Sequence, residues 1–316
     1  MTGARLPAAP DPARDLPEAG AQTAPIPAFV NPAAGSAADA LRALAADGRF
    51  VVHEVPPERL SEAARQAAAA GARRVLAAGG DGSVATVAAA LAGTRTAMAV
   101  LPGGTLNHFA AHLGIPGDLS AALDVAATGV PRPVDVAYVN DQLFLNTSSV
   151  GAYIGYVRLR ERLEPYLGYW PGSVVAGLRI LFRLPRYRVE IEVEGVVREY
   201  LTPLVFVGVG ERSLSPTGLG ERLTDGRAGL HLIVLRRREA GRLFALWVAA
   251  ARGGGSAVER MPDVDSFVVE RCTVARPGGR VYVSIDGEVI RAVPPLVYRV
   301  AHGALSVIVP VGVTGA

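Results

Sequence analysis

The sequence contains no lysine; all 32 of its basic residues are arginine. A Walker-type phosphate loop needs a lysine at the phosphates, and so does the protein-kinase strand that grips ATP. Both are excluded, together with Schiff-base chemistry and lysine-tethered pyridoxal phosphate. Cysteine is nearly absent too: Cys272 stands alone, so no disulfide forms within the chain. It lies in an apolar run and reads as a small buried hydrophobe in a reducing, cytoplasmic setting. Charge of one sign is scarce, 32 basic against 29 acidic residues leaving +3, too little to indicate nucleic acid. Long hydrophobic runs are missing: a stretch such as Leu243–Ala251 falls far short of the ~20 residues that a membrane span needs. Residues 1–25 are rich in Pro and Ala without a continuous apolar stretch, so no secretory signal is expected. A G-x-S-x-G nucleophile elbow is also wanting, which argues against a serine hydrolase.

What is present is a globular composition, half of it hydrophobic over 316 residues, enough for two domains. Residues 1–24 read as a flexible tail. From 25 to 134 short apolar runs alternate with helical patterns, which predicts an α/β domain with a mostly parallel sheet. Expected strands start at Ile26, Phe50, Arg73 and Thr96. Expected helices include 61–70, with Ser61 as N-cap, and Val84–Leu91. From 135 to 304 strand-like runs separated by turns predict an antiparallel, sandwich-like β domain, interrupted by helices near 155–183 and 239–252. Within it Val189, Ile191 and Val193 alternate with Glu190 and Glu192. Residues 305–316 are expected to return to the first domain. A cleft between two such bodies is the default place for a ligand.

Two glycine loops carry the chemistry. Gly79-Gly80-Asp81-Gly82-Ser83 sits between a strand and a helix. Glycine lets backbone approach a ligand closely, and a helix N-terminus offers unpaired N–H groups and partial positive charge, which suits phosphate. Asp81 would repel a phosphate unless a divalent cation lay between them. The alternative is a tight turn in which Asp81 caps the helix. The stretch also fits a dinucleotide fingerprint, but no acidic residue lies between Gly82 and Gly117 to hold a ribose. The second loop, Pro102-Gly103-Gly104-Thr105, again links strand to helix, and Thr105 and Asn107 can reach phosphate or ribose oxygens. His108 and His112 share a helix face without the Glu of a zinc-protease pattern, so they read as surface or packing residues. Asp286-Gly287 is a strong hairpin signal between two strand-like runs. Arg236–Arg238 before Leu243–Ala251, and the Arg-flanked apolar stretch at 172–184, suit either a membrane surface or an ordinary helix.

Taken in order, these motifs resemble the diacylglycerol kinase catalytic family, lipid kinases that include the sphingosine kinases and are distantly related to NAD kinases. FVNPAAGS at 29–36, GGDGS at 79–83, LPGGTLNHFAAHLGIP at 101–116, LNTSSVG at 145–151, Asp225-Gly226 and SIDGEV at 284–289 carry the likeness. Ser83, Ala85, Thr86 and His108 depart from the usual residues. The resemblance implies an ATP-dependent kinase of a lipid hydroxyl, diacylglycerol first, acting from the cytoplasm at the membrane surface. It implies Glu288 as general base with Asp286 in support. Nucleotide contacts would come from Asn31, Gly79, Gly80, Asp81, Gly82, Ser83, Gly104, Thr105 and Asn107. Mg²⁺ would sit at Asp81 and a structural magnesium at Asp225. The partner expectations are a lipid substrate, no nucleic acid, no transmembrane segment and a homodimer. The other readings are a nucleotide- or lipid-binding relative without catalysis, and a kinase of a sphingoid base or soluble alcohol.

Overall fold

A computed structural model describes residues 24–104, 107–168, 171–172, 174–176, 179, 187–213, 221–223, 225–235, 264–276 and 279–312. The expected tail at 1–23, Thr105, and the basic stretch and expected helix at 236–251 lie outside them. Two compact units divide the chain, one of residues 1–136 and 301–315, the other of residues 137–300.

In the first unit a parallel sheet runs in the order β2 (Phe50–Glu54), β1 (Ile26–Val30), β3 (Arg74–Gly79), β4 (Ala97–Pro102) and residues 301–309 of β16 (Leu296–Val309). Every neighbouring pair is parallel. Strands β3 and β4 are buried on both faces, so they read as unbroken apolar runs instead of alternating ones. Helices α1 (Ala37–Ala45), α2 (Pro57–Ala69), α3 (Asp81–Leu91), α4 (His108–His112) and α5 (Leu119–Thr128) fill the connections. Helix α1 packs beside α5, and α2 beside α3. Right-handed crossovers that step from β1 out to β2 and back to β3 put these two pairs on opposite faces.

Several expectations need correcting. Helix α2 starts at Pro57, not after Ser61: the proline ring presets the helical φ at the first position, where no N–H is missed. Ser61 lies inside the helix, its Oγ accepting from Arg65 at 2.6 Å. Helix α3 starts at Asp81, so only Gly79 and Gly80 are loop. Helix α5 was not foreseen, although Asp118 caps it by accepting the Ala121 N–H at 2.9 Å. Arg74 satisfies the far end of α5, donating to the carbonyls of Ala126 (3.1 Å), Ala127 (2.7 Å) and Gly129 (3.0 Å).

The second unit is an antiparallel sandwich. One sheet holds residues 296–300 of β16, β13 (Arg271–Ala275), β8 (Tyr187–Val193) and β9 (Val196–Thr202). The hairpin of β5 (Val130–Val139) and β6 (Gln142–Phe144) joins it. The other sheet runs β12 (Val264–Val269), β11 (Leu230–Leu235), β10 (Leu204–Val209), β7 (Thr147–Gly151), β14 (Val281–Ile285) and β15 (Glu288–Ala292). Val189 and Ile191 point inward to meet Val205, Val207, Leu232 and Val283, while Glu190 and Glu192 stay exposed. Cys272 and Tyr298 are buried in this core, and burial pushes the Cys272 thiol up to about 12, leaving it inert. Helix α6 (Ala152–Leu167) packs on β7 and β14, with Arg158 stacked 3.8 Å above the Tyr282 ring.

Candidate functional site

The loops after β1 and β3 leave neighbouring strands toward opposite faces of the sheet. Such a topological switch opens a crevice at the carboxyl ends of the strands, where α/β proteins bind ligands. Asn31 ends β1 and crosses this crevice: its Nδ2 donates to Ser83 Oγ at 3.2 Å, while its Oδ1 accepts the Ala33 N–H at 3.0 Å. The glycines of the two predicted loops meet there. The Gly103 N–H donates to the Gly79 carbonyl at 2.9 Å. A Cβ on Gly104 would lie 2.9 Å from Gly80 Cα, and one on Gly103 would run into Ser36 Oγ, which donates to the Gly103 carbonyl at 2.7 Å. Glycine at 103 and 104 is therefore required by the packing between the loops.

This packing sorts the expected phosphate donors. Asn107, in the left-handed conformation, accepts the Gly104 N–H at 2.8 Å and donates back to its carbonyl at 2.7 Å. Its amide shapes the loop, and the N–H groups of Gly103 and Gly104 are both engaged. Among the described residues of the second loop, these two N–H groups are therefore spent within the protein. At α3 the first intrahelical bond is from the Val84 N–H to the Gly80 carbonyl, 3.1 Å. The N–H groups of Asp81, Gly82 and Ser83 precede it and form the positive end of the helix. The Thr86 hydroxyl is turned back onto the Gly82 carbonyl at 2.9 Å and so contributes nothing to this mouth. Asp81, half-buried at the first helical position, makes no hydrogen bond or ion pair with a described residue.

A pocket of about 610 Å³ adjoins the loops, lined by Ser36, Asp39 and Arg42 of the α1 segment, Gly79, Gly103 and Leu119 among others. Asp39 and Arg42 pair with each other along the helix. Ser36 was quoted within a motif but not given a role; its contact with Gly103 spans 67 residues and leaves no local signal.

In the second unit Asp286 and Gly287 are the two central residues of the β14–β15 hairpin, with φ of +45° and +92°. Both in the left-handed region, they form the primed turn that Asp-Gly favours. The Asp286 carboxylate accepts three backbone N–H groups, from Leu145 (2.7 Å), Asn146 (2.8 Å) and Thr147 (2.9 Å). Its own N–H donates to the Thr147 carbonyl at 2.8 Å. Asp286 is thus a clamp between the hairpin and the LNTSS segment. Glu288, one residue past the turn, is exposed and opposite Ile285. Arg212 was missed by sequence reasoning. Its side chain is buried along Gly208, donating through Nη2 to the carbonyls of Asn146 (2.5 Å) and Val209 (2.9 Å). Burial pushes its guanidinium down to about 10, still charged at neutral pH. The Arg212 N–H donates to His231 Nδ1 at 2.7 Å, which leaves Nε2–H for Ser266 Oγ at 2.6 Å.

Asp225 is exposed in a turn. The β-carbon of Glu211 faces the neighbouring Gly226, and its oxygens accept from Arg227 at 3.2 and 3.3 Å. Among the described residues no group of three His, Cys, Asp or Glu side chains could cage a metal. No helix among them is long and apolar enough to cross a membrane.

Residues 25–139 match the diacylglycerol kinase catalytic domain. A Cronobacter sakazakii protein named "Probable lipid kinase YegS-like" is 39% identical over 191 residues, 57% of this chain and 60% of the relative. A Bacillus subtilis protein named diacylglycerol kinase is 31% identical over 202 residues, 61% of this chain and 65% of the relative. The matches thus span somewhat under two thirds of these relatives' length. The crystal structure of a diacylglycerol kinase from Bacillus anthracis superposes with a TM-score of 0.64 at 21% identity, covering 92% of this chain and 98% of that one, a likeness of fold. The likeness to the diacylglycerol kinase catalytic domain is thus carried by residues 25–139, and the relatives that share it are named as lipid kinases.

Proposed function

We propose that this protein is an ATP-dependent lipid kinase that phosphorylates a lipid hydroxyl, with diacylglycerol the first acceptor to test. The observation that carries the reading is the glycine-walled N-terminus of α3, set at a topological switch point inside a diacylglycerol kinase catalytic domain. Phosphoryl transfer demands positioning and neutralisation of charge more than covalent chemistry. In this reading the N–H groups of Asp81, Gly82 and Ser83 receive the phosphates, Gly79, Gly80 and Gly104 shape their bed, and Asn31 and Thr105 contact the nucleotide. Mg²⁺ is commonly held by one or two carboxylates plus the substrate phosphates, without a protein cage. A lone, unengaged Asp81 at the phosphate mouth fits that pattern. When bound, the ion neutralises developing charge on the phosphates. At Asp225 the described side chains leave one unengaged carboxylate, so a structural magnesium there would depend on backbone carbonyls.

Glu288 is assigned the general base that takes the proton of the acceptor hydroxyl, a role that contributes about 10²–10⁴ in rate. Asp286 holds the turn that carries it. Exposed Tyr166, Leu167, Val174 and Val175, close in sequence to exposed Arg162 and Arg179, support action at a membrane surface.

The test is transfer of labelled phosphate from ATP, with Mg²⁺, in mixed micelles that present diacylglycerol, monoacylglycerol, sphingosine, ceramide or undecaprenol. A labelled lipid names the acceptor class. ATP binding without transfer to any lipid, or to glycerol as a soluble alcohol, would move the assignment to a binding protein without catalysis.

A further inference from the structure

We propose that Arg212 is a positioning residue for Glu288, an inference that rests on the general-base role assigned above. The peptide Leu145–Thr147 is gripped from two sides. On its N–H side stands the Asp286 carboxylate, with three hydrogen bonds of 2.7–2.9 Å. On its carbonyl side stands Arg212, whose Nη2 donates to Asn146 at 2.5 Å and ties the same carbonyl to that of Val209. The Val209 N–H donates to the Asn146 carbonyl as well, at 3.0 Å, so the peptide is fastened to β10 at one point and to the hairpin turn at another. Asp286 can hold its left-handed turn only as firmly as this peptide is held, and Glu288 follows the turn after a single glycine.

The surroundings of Arg212 are built for one pose. It is buried, at 6% exposure, in a channel that exists because residue 208 lacks a side chain: a Cβ there would lie 2.7 Å from Arg212 Cγ and Nε. Its backbone is pinned by His231, itself buried and held by Ser266. A charged guanidinium taken out of water is costly unless it finds acceptors, and its Nη2 is spent on the Asn146 and Val209 carbonyls, the first of which belongs to the peptide that the catalytic turn rests upon. Lysine would keep the charge without the planar guanidinium whose Nη2 reaches both carbonyls.

The test compares wild type, Arg212→Met, Arg212→Lys and Gly208→Ala in the full chain. Two readouts are taken: hydrogen exchange of the Leu145–Thr147 amides, and kcat and KM for lipid phosphorylation. The proposal expects exchange at these amides to accelerate at least about tenfold in Arg212→Met and Gly208→Ala, and less in Arg212→Lys. It expects kcat to fall by about 10–100-fold with KM for ATP unchanged, because misplacing a catalytic group lowers kcat without removing nucleotide contacts. Gly208→Ala keeps the arginine, so agreement between it and Arg212→Met separates the pose from the mere presence of charge. Unchanged exchange and unchanged kcat would overturn the proposal, as would a loss confined to KM. If wild type transfers no phosphate, the kinase reading falls, and the exchange measurement alone then decides for or against the grip.

Discussion

Gly80 and Gly104, on loops that follow different strands, pack backbone to backbone, so that a Cβ on Gly104 would lie 2.9 Å from Gly80 Cα. The contact is asymmetric: a Cβ on Gly80 would meet Gly104 Cα at an ordinary 3.5 Å. Overpacking against backbone costs about 1–3 kcal/mol because nothing can rotate away. Gly104→Ala should therefore lower stability by that amount and also weaken ATP binding. Gly80→Ala should shift stability by less than about 1 kcal/mol. Denaturant midpoints of the two variants check the order; equal losses would show that the loops do not pack as described.

Asp286 offers a second prediction. Its carboxylate serves three N–H donors, and hydrogen bonds to a charged group contribute about 1.5–3 kcal/mol. Asp286→Asn, whose amide presents only one acceptor oxygen, should destabilise the chain by about 2 kcal/mol, and Asp286→Ala by more. Urea unfolding followed by tryptophan fluorescence measures both. An Asp286→Ala variant as stable as wild type would remove the clamp from the account.

His231 gives a pH dependence. Burial, its largest influence, lowers its pKa from 6.5, with Glu211 opposing and Arg212 and Arg227 assisting. The neutral ring is also the form whose Nδ1 can accept the Arg212 N–H. The folded chain thus resists protonation where the unfolded chain accepts it. The resulting stability is fully present above about pH 6.5 and is lost as pH falls from there through the folded value. The melting temperature should drop between about pH 7 and pH 5, and drop less in His231→Asn, which keeps an acceptor without a titrating ring. Parallel curves for the two proteins would contradict this.

Much of the architecture was legible because two periodicities and two glycine loops are local features. The alternation at Val189–Val193 reads directly as one buried and one exposed face of β8. GGDGS and PGGT are visible because glycine next to a strand end has few other uses. The rest depends on contacts far apart in the chain. Asp286 reaches amides 139–141 residues away, and Arg212 a carbonyl 66 residues away. No spacing rule could have shown that Asp286 serves the fold through its oxygens, or that Asn107 spends its amide on Gly104. Helix α2 began early because Pro57 is as good a start as the serine that drew attention, and β16 ran longer than the apolar stretch at its end.

The most direct test of the central claim is phosphate transfer by Glu288→Gln beside wild type, on whichever lipid wild type labels, with ATP binding measured on the same samples. The account predicts that turnover falls by at least about 10²-fold while ATP affinity stays within about twofold, since Glu288 is not among the groups assigned to the nucleotide. Transfer at the wild-type rate in Glu288→Gln would contradict it.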